Sequence, residues 1–106
     1  MNQRDAVMEL AKFLSTTQAY QELKQAGDVI KQNQAMYKAL RDFKTLVSAG
    51  QNSPEQVEHI GREYQRLMQI PEFNRYFRAH DKYGEMLGSI LNEVSMILEN
   101  SLGLNG

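Results

Sequence analysis

The chain contains no cysteine. That removes a disulfide framework, a thiolate nucleophile and any iron–sulfur or zinc–thiolate site. Tryptophan is also absent, and the only two prolines, Pro54 and Pro71, sit where helices can begin. Valine, isoleucine and threonine are sparse beside Lys, Glu, Gln, Leu, Ala and Met, so strands are disfavoured and helices favoured. Neither charge sign is in large excess: 12 basic and 13 acidic side chains give −1 at pH 7. A duplex-binding surface would need a clear basic excess, so binding driven by phosphate over the whole surface is not expected. No run approaches the roughly 20 apolar residues of a membrane span. The opening MNQRDAVMELAKFL is interrupted by Asp5, Glu9 and Lys12 and does not read as a signal peptide. The expected address is the cytoplasm.

What remains is a chain of 106 residues and 12.2 kDa, which fits one domain over 1–106. A globule of this size buries about two-thirds of its unfolded surface, enough for a modest core. The periodicity predicts an all-α fold, an antiparallel bundle of about five helices with a long C-terminal one. Val7, Leu10, Ala11 and Leu14 mark a helix over about 4–14. In Ser15-Thr16-Thr17-Gln18 a hydroxyl can cap the next helix and a glutamine can answer it. Tyr20, Leu23, Ala26/Gly27 and Ile30 then give a helix over 17–32. At Asn33 the stripe slips phase to Met36, Leu40, Phe43 and Val47, which predicts a break and a new helix over 34–49. Gly50 suits the left-handed residue past a helix end. Ser53-Pro54-Glu55-Gln56 supplies an N-cap hydroxyl, proline at the first helical position and glutamine at the capping-box position. The short connection predicts a hairpin to a helix over 54–69, facing inward with Val57, Ile60, Tyr64 and Leu67/Met68. Pro71 opens a helix to about Asn100, roughly 45 Å long at ~1.5 Å per residue, leaving 101–106 as a tail.

In that last helix Phe73, Phe77, His80, Gly84, Leu87, Leu91, Val94 and Leu98 recur at alternating steps of four and three, the repeat of a coiled-coil seam. A second row, Tyr76, Tyr83, Ile90 and Ile97, recurs every seven residues beside it. Together they form a face too wide for one neighbouring helix. One row can pack inside the subunit and the other against a partner, and Gly84 and Gly88 would let a second backbone come close. These thirteen residues, Gly88 included, are the candidate protein interface. The competing reading buries both rows inside one monomeric bundle.

Other chemistry is thin. Glu55, His59 and Glu63 share one helix face at four-residue spacing and are the only candidate metal set. Such residues are more often a solvated surface, and Arg62 and Arg66 compete for the carboxylates. His80 lies in the seam, without a second histidine at ligand spacing. Arg62, Arg66, Arg75, Arg78 and Lys82 interleave with Tyr64, Phe73, Tyr76 and Phe77, a pattern able to grip single-stranded RNA. Here those aromatics fall on the apolar stripe, which places them in a core. No catalytic residue, cofactor or bound metal is expected, and nucleic acid is disfavoured as a partner. After Lys82 the chain carries only Glu85, Glu93 and Glu99, while residues 1–84 hold 12 basic against 10 acidic side chains.

The order of features resembles the YlbF/YmcA family of small helical bacterial proteins, from about Val7 to Leu98. The likeness rests on Thr17-Gln18-Ala19-Tyr20-Gln21-Glu22-Leu23-Lys24-Gln25-Ala26, on Met36-Tyr37-Lys38-Ala39-Leu40-Arg41-Asp42-Phe43-Lys44, and on Pro71-Glu72-Phe73 opening a long helix that ends Glu93-Val94-Ser95-Met96-Ile97-Leu98. The resemblance implies a bundle that assembles into homo-oligomers, or hetero-oligomers with related helical proteins. It further implies a non-enzymatic regulator of competence, sporulation or biofilm formation, linked in some members to a membrane-bound endoribonuclease that processes mRNA. Members tied to iron–sulfur clusters use cysteines, and this chain has none to offer.

Overall fold

The computed structural model describes residues 2–49 and 53–103. Five helices follow one another: α1 (Gln3–Ser15), α2 (Gln18–Lys31), α3 (Gln34–Ala49), α4 (Pro54–Met68) and α5 (Pro71–Ser101). There is no strand among the described residues.

Local chemistry sets the boundaries. The Asn2 side chain accepts from the Asp5 N–H at 2.9 Å and starts α1. Thr17 is the hydroxyl that caps α2: its Oγ1 accepts from the Tyr20 N–H and donates to the Leu14 carbonyl at 2.6 Å, tying two helix ends together. The glutamines of this turn take other partners, Gln21 donating to the Ser15 carbonyl and Gln18 to Glu22. Asn33 does break the helix, for its side chain accepts from the Met36 N–H at 3.1 Å and so caps α3. Ser53 caps α4 by accepting from the Gln56 N–H, with Pro54 at the first helical position. Ile70 precedes α5 without a side-chain cap, and Asn74 donates back to the Met68 carbonyl at 3.1 Å, satisfying an end group of α4. Gly103, at φ +73°, closes α5 in the left-handed region and donates to the Asn100 carbonyl. Gly50 lies outside the described residues.

The core is small and lies at one end of α5. Ile30, Leu40, Leu67 and Phe73 form its buried centre, ringed by Met36, Ala39, Phe43, Ile70, Tyr76 and Phe77. Rings of Phe43, Tyr64, Tyr76 and Phe77 pack at centroid separations of 5.1–6.2 Å, within the range of favourable edge and offset contacts. Lys44 lies over the Tyr76 ring and donates to its hydroxyl at 3.1 Å, spanning α3 to α5. α2 runs antiparallel to the first half of α5: Gly27 faces the Tyr76 ring and Tyr20 meets Tyr83 at 6.1 Å. Buried Ala26 and Ala79 let these two backbones approach. The molecule is drawn out to 50 × 34 × 25 Å, with a radius of gyration of 17.9 Å, against about 13 Å for a compact chain of 100 residues.

Candidate interaction surface

The elongation has a definite origin. α2, which covers the first half of α5, begins at Gln18, near the level of Tyr83. Beyond Ile90 the apolar pattern of α5 continues but its neighbour does not, and every residue from Leu91 to Gly103 is exposed. Leu91 is 60% and Leu98 58% exposed, and Val94, Met96, Ile97 and Leu102 are exposed with them. α1 packs on α2 and not on α5, and buries none of its residues. Val7, Met8, Leu10 and Phe13 therefore also face solvent. At the junction of the two arms Met8, Ala11, Leu14, Tyr20 and Tyr83 line a mainly apolar hollow of about 480 Å³. Together the arms carry ten large exposed apolar side chains.

The thirteen candidate interface residues thus separate by position along the helix. Phe73, 1% exposed, is consumed by the chain's own core, and Tyr76 and Phe77 belong to the aromatic cluster around it. Tyr83, Leu87 and Ile90 are half-buried, and Tyr83 meets Tyr20 of α2. His80 is exposed, its ring 6.2 Å from that of Tyr76. Gly84 and Gly88 are exposed and open, with nothing within 4 Å of where a Cβ would stand. Leu91, Val94, Ile97 and Leu98 form the free stripe.

The other candidates resolve in the same way. Arg66 donates to Glu63 through Nε and Nη2, at 3.1 and 2.9 Å. That hydrogen bond outweighs the opposing desolvation and, with the charges of Arg66, His59 and Arg62, holds the Glu63 carboxyl below its ordinary value of 4.5. Glu63 is thereby engaged, and no group of three His, Asp or Glu residues is placed to hold a metal ion among the described residues. The arginines fall into two sets on separate helices. Arg62 pairs with Glu58 at 3.0 Å and Arg66 with Glu63, whereas Arg75 and Arg78 on α5 face another way together with Lys82. Of the aromatics between them Phe73 is buried, and Tyr64, Tyr76 and Phe77 are half-buried in the aromatic cluster.

Comparison with curated proteins and with solved structures returned no match. The family model described as control of competence regulator ComK, YlbF/YmcA matches residues 4–102, spanning all five helices. The chain belongs to the YlbF/YmcA family and is a competence-regulator-related protein.

Proposed function

We propose that this protein is a non-enzymatic, oligomeric helical adaptor that acts by binding other helices, first those of its own copies and then those of related helical proteins. The observation that carries this reading is the free stripe Leu91, Val94, Ile97 and Leu98, which prolongs a core-forming pattern past the end of its intramolecular neighbour. A side chain of this kind contributes about 1.5–3 kcal/mol when fully removed from water, so covering four of them is a strong drive to associate. Its setting is the cytoplasm, and its role is regulatory, in competence, sporulation or biofilm formation, in line with its family.

The adjacent positions Ile90 and Leu91 make the test. Ile90 is half-buried, whereas Leu91 is 60% exposed. Leu91→Glu is expected to give a folded monomer, because a charge at a covered face is left unpaired at a cost of several kcal/mol. Ile90→Glu is expected to lower the melting temperature as well. Light scattering that finds the unmodified protein monomeric at high micromolar concentration would sink the proposal.

A further inference from the structure

Arg75, Arg78 and Lys82 recur at steps of three and four, so they stand on one face of α5. All three line a groove of about 810 Å³ between α2 and α5, with Met68, Pro71 and Ala79 supplying apolar wall and Glu22 the single carboxylate. Lys12, Lys24, Lys38, Arg62 and Arg66 each hold a carboxylate within 4 Å. Arg75, Arg78 and Lys82 hold none among the described residues, as Arg4, Lys31, Arg41 and Lys44 do not, but these three line one groove together. The uncapped start of α5 at Ile70 adds its partial positive charge at the same end. A cationic rim over apolar wall is complementary to an amphipathic helix that carries carboxylates beside its apolar side chains.

This chain contains such a helix. Past Lys82, α5 has no cation, only Glu85, Glu93 and Glu99, next to exposed Val94, Met96 and Ile97. Eighteen residues make about five turns, so Glu93 stands on the same face of α5 as Arg75, with Met86, Ser89 and Met96 close to that face. We infer that the α2/α5 groove receives the acidic C-terminal half of α5 from a second copy, the two α5 helices running antiparallel. With a two-fold axis between Met86 and Ser89, Lys82 of each copy stands level with Glu93 of the other. The same register sets Met96 level with Ala79 and brings Glu99 to the level of Arg75–Arg78. Each contact occurs twice, as a two-fold interface requires. A parallel pairing would instead set Glu93 against Glu93 and Lys82 against Lys82.

The inference rests on the self-association proposed above and adds a second contact to it, since Leu91 and Leu98 lie on nearly the opposite side of α5 from Glu93. The experiment separates the two. Lys82 and Glu93 are both exposed, so reversing them leaves the core intact. By sedimentation equilibrium, Lys82→Glu and Glu93→Lys are each expected to weaken association about tenfold, since two symmetric pairs turn repulsive. The double variant, with the charges exchanged, is expected to recover most of that loss. Single reversals that leave association unchanged, while Leu91→Glu abolishes it, would overturn this groove assignment and leave self-association standing. Wild-type protein that stays monomeric overturns both. A labelled single-stranded RNA that binds the wild type, is lost with Lys82→Glu and is indifferent to Glu93→Lys would name nucleic acid as the occupant and overturn the inference.

Discussion

Phe73 and Leu98 lie on the same stripe of the same helix, one 1% and the other 58% exposed. The helix is equally regular at both ends and the side chains are equally apolar. What differs is the neighbour: α2 and α4 pack on the first half of α5, α3 reaches it through Phe43 and Lys44, and among the described residues nothing covers it beyond Ile90. Burial is thus a property of the pair of surfaces, and hydrophobic periodicity records only one member of it.

The contrast breaks most sharply under truncation to alanine. Phe73→Ala is expected to cost about 3–5 kcal/mol of stability, the range for emptying a fully packed aromatic site. Leu98→Ala should barely move the melting temperature of the dissociated chain, and instead shift the concentration at which it associates. Thermal melts at two well-separated protein concentrations would distinguish these outcomes, and equal losses at high dilution would erase the distinction between the halves.

Helix caps sharpen the comparison at a smaller scale. Asn33 caps α3 inside the packed half, and Asn2 caps α1, which has no buried residue. Asn33→Ala is expected to lower global stability by about 1 kcal/mol. Asn2→Ala should leave the global transition in place and raise amide exchange in α1 alone, because a weakly packed helix opens by itself. Exchange that accelerates throughout the chain would instead tie α1 to the core.

The smallest effect concerns Glu63, whose carboxyl is lowered chiefly by its hydrogen bond to Arg66. A carboxyl lowered in the folded state contributes stability that is present above its ordinary value of 4.5. It is lost as pH falls through the folded-state value. The pair is substantially exposed, so the effect is slight. Melting temperatures from about pH 6 to about pH 3 should fall a little more steeply for the wild type than for Arg66→Gln, and identical slopes would show that the bond contributes nothing.

Much of the architecture was legible because its signals are local. Pro54, Pro71, Ser53 and Thr17 announce helix starts from within one turn, and the phase slip at Asn33 marks a break that its capping bond explains. The interface stripe was legible as a row but not in its division. Where Phe73 ends its usefulness to a partner and Leu91 begins depends on where α2 stops, a fact about another helix. Ala79 escaped notice for a related reason: a small side chain is buried only because Ala26 and α2 come close. The five cations between 62 and 82 looked continuous along the chain, yet two helices point them in different directions, and Glu58 and Glu63 neutralise the first pair.

α5 is one unbroken helix through both halves of this comparison, from Pro71 to Ser101. Cut off by itself, the segment from Leu91 to Ser101 would fall short of the roughly 12–15 residues at which isolated helices become even marginal in water. As an extension of a helix already nucleated against the core, it adds turns without a new nucleation step. In the self-association proposed above, a partner would meet side chains already held in helical order, and little of the association energy would be spent on organising them. A proline placed near Gly88 would test that dependence, leaving the composition of the binding stripe unchanged while severing it from the part of the chain that keeps it folded.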